Sequence, residues 1–217
     1  MWIRRRTVRS GDAGFFRDVV RSRAGRTGVV LAAALCLIAV LTPLLAPHSP
    51  NEQIDIVTNR YASPSSDHPF GTDKFGRDVL SRVLYGARIS LGIALTAVAL
   101  AITLGTLVGA VAGYFGGRLD AVLMRGVDML MAFPRLVLLL VLAAVFRPSM
   151  WLLVIVLGLT GWMGVSRLVR GQVLSLREQT FVEAERALGF GHGRILFRHI
   201  LPNAAGPIIV AATLAVA

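Results

Sequence analysis

Residues 151–203 read WLLVIVLGLTGWMGVSRLVRGQVLSLREQTFVEAERALGFGHGRILFRHILPN. The opening stretch, Trp151–Val165, carries no charge and is long enough to pass through most of a bilayer. Charge then returns with one dominant sign. Arg167, Arg170, Arg177, Arg186, Arg194 and Arg198 face only Glu178, Glu183 and Glu185. Beyond Asn203 the chain turns apolar again, from near Ala204 to Ala217. An Arg-rich loop between two apolar runs marks the cytoplasmic side of a membrane protein. The segment Arg167–Asn203 is therefore read as a cytoplasmic loop between two membrane helices.

Outward from this loop the same pattern repeats. The whole chain is 55% hydrophobic and only 16% charged, with mean hydropathy +0.67. A soluble domain carries roughly 25% charged residues, so bilayer is the expected solvent for much of this chain. Apolar runs place the first span at Gly28–Pro47, the second at Ser90–Ala112 and the third at Val127–Phe146. Pro134 and Arg135 lie inside the third or near its inner end. The fourth span is Trp151–Val165, and a fifth begins near Ala204. The expected fold is all-α, a polytopic transmembrane helical bundle with five spans. The first run exceeds the roughly 7–15 residue core of a cleavable signal, so it reads as an uncleaved membrane helix.

Orientation follows from arginine. Residues 1–27 carry eight Arg against Asp12 and Asp18. Segments 1–27 and 167–203 should both be cytoplasmic, and four spans separate them, which keeps the assignments consistent. The balanced segment 48–88 then falls outside. The division expected is a basic cytoplasmic segment 1–27, a first membrane helix 28–47, an external segment 48–88 and a membrane core 89–217. The net charge of +11 is explained by these flanks. No basic face alternates with exposed aromatics, so no nucleic-acid partner is expected.

Gly105, Gly109 and Gly113 stand at GxxxG spacing in the second span, and Gly158, Gly161 and Gly164 stud the fourth. Small residues at this spacing let membrane helices approach closely. Apart from Asp128 and Arg135, no ionisable residue lies deep in a span, which disfavours a proton-coupled carrier. Cys36 is the only cysteine, so no disulfide forms within the chain.

Several chemistries fail on spacing. Lys74 is the only lysine and lies in the external segment, so no P-loop can be built. Gly189–Gly193 lies in an interhelical loop, without the strand that a phosphate-binding glycine motif needs. His48, His68, His192 and His199 lack metal-ligand spacing, and His192 and His199 have no acidic neighbour in the pattern of such sites. No metal site is expected. Asp67, Asp73 and Asp78 do not match a calcium loop. They read as turn chemistry leading into a helix, with Thr72 or Asp73 as N-cap.

The basic loop has its own grammar. Thr180 followed by Glu183 forms the pattern of a capping box, which starts a helix. Gly189 supplies a stop. A second helical stretch, Arg194–Ile200, leads to Pro202 and Asn203. Phe181, Val182, Ala184, Leu188 and Phe190 give the first helix an apolar patch. On an exposed loop such a patch is covered by a partner, or it packs on the chain's own membrane helices.

With these residues in view, the sequence resembles a known family. Glu183-Ala184-Glu185, then Gly189, then Leu201-Pro202 is similar to the "EAA" loop of ABC-importer permeases. Glu185 stands where that pattern usually has Ala, and His199 where it has Ile. HPFGTDKFGRDVLSRVLYGARISL, His68–Leu91, resembles the stretch after the first span in dipeptide/oligopeptide/nickel permeases. Its motif positions here are Gly71, Thr72, Asp73, Gly76, Arg77 and Asp78. Gly113–Gly117 and Met131-Ala132-Phe133-Pro134 extend the likeness across residues 28–217.

The resemblance implies a permease subunit of the bacterial inner membrane with no catalytic residue. It implies that Phe181, Val182, Glu183, Ala184, Glu185, Leu188, Gly189, Leu201 and Pro202 couple it to an ATPase. It implies as partners a homologous second permease subunit, two ABC ATPase subunits that bind ATP and Mg, and an extracytoplasmic substrate-binding protein. Membrane lipid surrounds it, and no cofactor is expected in this chain. Di- and oligopeptides are the expected substrates, with nickel chelates and glutathione-like solutes as rivals. A non-transporting scaffold and an independent channel are the readings from other classes. The family has six spans, so a longer chain is expected to complete the fifth and add a sixth.

Overall fold

A computed structural model of the chain describes residues 22–53, 56, 58–147 and 149–216. Most of the basic segment 1–27 thus lies outside the described residues. The described residues fall into two compact units, divided after Gly92. The fold is all-α: among the described residues the one β feature is an isolated bridge between Thr72 and Asp78.

The first unit begins with α1, Arg23–Leu45. It starts at Arg23 rather than Gly28 because the Ser22 hydroxyl accepts the Gly25 N–H at 3.0 Å, capping the helix before the apolar run begins. Val30, Leu31, Leu35, Val40 and Leu44 are exposed along it, which suits lipid or a membrane partner. The helix meets the start of α2, Val79–Phe115, where Thr42 Oγ1 donates to the Leu84 carbonyl at 3.3 Å.

Neither Thr72 nor Asp73 caps α2. Asp78 does, its Oδ2 accepting the Ser81 N–H at 2.7 Å. Asp73 instead closes a turn, accepting the N–H groups of Phe75 and Arg77 at 2.7 and 3.1 Å. The Asp73 carboxylate is consumed by that turn, so the cap falls to the carboxylate next to the helix.

The second unit holds the rest of α2 and the five helices that follow it among the described residues. Helix α3, Gly117–Met131, and α4, Arg135–Val145, replace the single third span expected at Val127–Phe146. They bend by 69° across the break. Pro134 lacks an N–H and its ring opposes helical backbone before it, so the helix ends and restarts there. Helix α5, Met150–Arg177, opens on the Ser149 hydroxyl and continues well beyond Val165, so the early part of the basic loop is helical. Four helices are long and apolar enough to cross a membrane, and the bent pair supplies a fifth crossing if it acts as one span.

The glycine ladder of α2 packs on α5. A Cβ at Gly105 would lie 2.6 Å from Val165 Cβ, and one at Gly113 would lie 2.9 Å from the Arg170 carbonyl. Gly109 sits against the Ser166 carbonyl with equally little room. Absence of side chains is what allows these backbones to touch. Helix α3 joins α5 through charge: Asp120 takes a two-pronged hydrogen bond from Arg170 at 2.5 and 2.6 Å, and Asp128 pairs with Arg167. Asp128, one of the two ionisable residues expected within the third span, thus has a partner on α5.

Candidate functional site

After Arg177 only Glu178 and Gln179 separate α5 from a short helix, α6, Thr180–Ala187. Gln179 donates its N–H back to Leu176 and accepts Val182 N–H at 3.0 Å, which makes it the N-cap residue. Thr180 is the first helical residue, and no side-chain cap forms. The capping box expected at Thr180 and Glu183 is thus not built, because the tight link to α5 sets the cap one position earlier. Glu183 still lies in the first turn, where a negative charge suits the helix dipole.

The C-terminus follows its sequence signal. Gly189 adopts φ of 77°, its N–H bonds the Arg186 carbonyl at 3.0 Å, and Phe190 N–H bonds the Glu185 carbonyl at 3.1 Å. This is a Schellman closure, and it needs a residue at home in left-handed backbone.

One face of α6 is anchored. Val182 is fully buried among Tyr114, Val169, Val173, Ile195, Leu196 and Ile200. The other face is open: Phe181, Glu183, Ala184 and Leu188 are exposed, Leu188 to 72%. The apolar patch therefore divides, with Val182 packed on the chain's own helices and the remainder presented outward.

Behind α6 the chain re-enters as α7, His192–Val216, through a π-helical turn at Ile195–Ile200. Leu201 N–H bonds the Leu196 carbonyl in that wider register. Pro202, next in line, has no N–H to continue an α ladder, and a π turn before it accommodates the loss. Leu201 packs beside the core while Pro202 is exposed. Asn203 donates its side chain to the His199 carbonyl at 2.7 Å.

A polar bracket ties the two limbs together. His199 Nδ1 lies 2.7 Å from Glu185 Oε1, so His199 does have an acidic partner, brought to it by the turn at Gly189. Phe190 stacks on His199 at 6.4 Å, and the Arg194 guanidinium covers Phe190 at 4.5 Å. Tyr114 Oη meets His192 Nδ1 at 3.0 Å, and Arg177 donates to the Gly113 carbonyl at 3.0 Å. Tyr114, Arg177, His192 and His199 were not among the expected site residues, because each acts through a partner distant in sequence.

In the first unit the motif Gly71–Asp78 builds a rigid turn. Gly71 and Gly76 hold φ of 69° and 70°. Thr72 Oγ1 accepts the Ala62 N–H at 2.9 Å and donates to the Asn59 carbonyl. Arg77 forks onto Asp73 at 2.8 and 2.9 Å. Burial alone would raise the Asp73 pKa, but the Arg77 side chain and two backbone N–H groups outweigh it and hold the carboxyl below its usual range. Asp78 is treated the same way: burial raises its pKa, while bonds from Ser81 and His68 together bring it below the ordinary value. The fold also brings His48, Asp67 and His68 together, with ligand atoms within 4.8 Å of one another, a grouping that their spacing in the sequence does not display.

Residues 105–217 match the family described as the binding-protein-dependent transport system inner membrane component. The chain belongs to that family. Residues 13–64 of this inner membrane component also match the N-terminal transmembrane domain of oligopeptide transport permease C. Over 199 residues it is 40% identical to the dipeptide transport system permease protein DppC of Alkalihalophilus pseudofirmus, covering 92% of the chain and 65% of the relative. It is 38% identical to the dipeptide permease protein DppC of Bacillus subtilis, covering 93% and 62%. A putative peptide permease protein of Brucella abortus is 45% identical, covering 91% and 65%. The chain thus spans less than two thirds of the length of these relatives. Family and helices agree on a multi-pass membrane protein.

Proposed function

We propose that this chain is a permease subunit of an ATP-driven, binding-protein-dependent importer of di- and oligopeptides in the bacterial cell membrane. The observation that carries the reading is α6: a short, closed helix anchored by Val182, with Phe181, Ala184 and Leu188 turned outward between two long helices. An apolar face fixed on a rigid base is a surface made for a protein groove. The coupling residues are Phe181 to Glu185, Leu188, Gly189, Leu201 and Pro202, with Glu185–His199 bracing the helix against α7.

In this reading ATP and Mg bind two partner ATPase subunits, which close and push on α6. The long helices α5 and α7, continuous with its base, carry the displacement to the membrane core. A homologous permease subunit completes the path, and a substrate-binding protein delivers peptide outside. This chain transmits force and makes or breaks no bond. Its arginine pattern supports a cytoplasmic N-terminus and a cytoplasmic α6. Peptide transport is supported by the names of the relatives.

The test is uptake of labelled dipeptide by proteoliposomes holding the full assembly. Gly189→Pro forbids the left-handed backbone at the Schellman turn. Uptake and peptide-stimulated ATP hydrolysis should both be lost, with membrane insertion unchanged. Normal uptake by that variant, or by a deletion of Phe181–Gly189, overturns the coupling role. Recovery of an unrelated soluble protein on α6 in place of an ATPase would favour the scaffold reading.

A further inference from the structure

We propose that His48, Asp67 and His68 form a zinc-type binding site that clips the end of α1 to the turn preceding α2. His48 Nε2 lies 3.6 Å from Asp67 Oδ1, and His68 Nε2 lies 3.7 Å from Asp67 Oδ2. The two imidazole rings lie 4.7 Å apart between centroids, tilted by 38°. Two imidazole nitrogens and one carboxylate oxygen are the donor set of three-ligand zinc centres, which leave a fourth position for water. Nitrogen donors argue against calcium and magnesium, which take oxygen.

The support behind the ligands is the stronger observation. His68 is almost wholly buried, and its Nδ1–H donates to the buried carboxylate of Asp78 at 3.1 Å. That bond fixes the tautomer and leaves the Nε2 lone pair facing Asp67 and His48. A carboxylate behind the remote nitrogen is the usual support of a metal-ligating histidine. Asp78 is itself fixed by Ser81 N–H, and Ser81 Oγ accepts the His48 N–H at 3.1 Å. One buried serine at the start of α2 thus holds the backbone of one ligand and the support of the other.

Asp67 is the adjustable member, with its side chain 77% exposed. At zinc bond lengths of about 2.0–2.2 Å, donors around a tetrahedral ion stand roughly 3.4 Å apart. Asp67 is already close to that from both rings, at 3.6 and 3.7 Å, so the remaining closure brings the half-buried His48 ring toward His68. His48 Nε2 now meets the Asp67 carbonyl oxygen at 3.1 Å, and it exchanges that contact for the ion by moving its proton to Nδ1. The ion then joins residue 48 to residues 67 and 68. This site is separate from α6, and its test does not depend on transport.

The experiment titrates the full-length detergent-solubilised protein, stripped with chelator, with zinc chloride against a chromophoric competitor. One equivalent should bind in the wild type. His48→Gln and Asp67→Asn should each weaken it at least about 100-fold, and Asp78→Asn about 10–100-fold through loss of orientation. His192→Gln with His199→Gln, the other histidines of the chain, should leave it unchanged. Cobalt(II) in the wild type should give visible d–d absorption of a low-coordinate nitrogen–oxygen site, absent from Asp67→Asn. Because Asp67 is exposed, its replacement leaves the fold intact. No zinc bound in the micromolar range by the wild type, or binding indifferent to both His48→Gln and Asp67→Asn, overturns the proposal.

Discussion

Val182 and Leu188 are similar aliphatic side chains with opposite surroundings, one fully buried and one 72% exposed. Their replacement should separate folding from docking. Val182→Ala removes buried contact and should cost about 1.5–3 kcal/mol in the stability of the loop region, read as a lower thermal midpoint in detergent. Leu188→Asp should leave that midpoint nearly unchanged, within about 0.5 kcal/mol, and, under the proposed function, abolish stimulation of the ATPase proposed to dock there. A stable Leu188→Asp chain with full coupling would remove Leu188 from the docking face. Asp73 offers a test by pH. Its folded pKa is lowered, so the unfolded chain takes up the proton first. Its contribution is complete above the unfolded pKa and is lost as pH falls through the folded value. Thermal midpoints measured on acidification should therefore fall less steeply in Asp73→Asn than in the wild type. At this scale Gly189 was legible from sequence because a glycine after helix formers has one common use. The Glu185–His199 pair was not legible, since it depends on how α6 and α7 fold back on each other.

At the scale of elements, small residues and proline govern the outcome. Gly109 faces the Ser166 carbonyl, whereas Gly126 has open space around the position of a Cβ. Gly109→Val should force α2 away from α5 and lower the thermal midpoint sharply, while Gly126→Ala on α3 should be neutral or slightly stabilising. Equal effects of the two would mean that the α2–α5 approach is not limiting. The sequence predicted this packing face from its spacing alone, because GxxxG has a direct geometric meaning. It did not predict where the helices end. Apolar runs mark only the part of a helix that lipid can accept, while α2 and α5 extend beyond those runs under hydrogen bonding and tertiary contact. The third span shows the converse: hydropathy averaged across Val127–Phe146 hides the break at Pro134, although the residue that makes it was visible.

For the whole molecule the bend between α3 and α4 decides the topology. If the pair crosses the bilayer as one broken span, four crossings separate the N-terminal segment from α6, and both lie on one side. If it turns back as a re-entrant loop, three crossings separate them and they lie on opposite sides. The arginine distribution favours the first arrangement, since residues 1–27 and the α6 limb carry most of the basic excess. Cys36→Ala removes the one native cysteine, so single reporters can be introduced at Ser10, Ser65 and Arg186 without background. A membrane-impermeant maleimide applied to intact cells should label Ser65→Cys and spare Ser10→Cys and Arg186→Cys. Inverted vesicles should give the reverse. Labelling of Ser10→Cys and Arg186→Cys from opposite faces would make α3–α4 re-entrant. It would also remove α6 from the cytoplasm or reverse the N-terminus, and only the latter is compatible with docking on an ATPase.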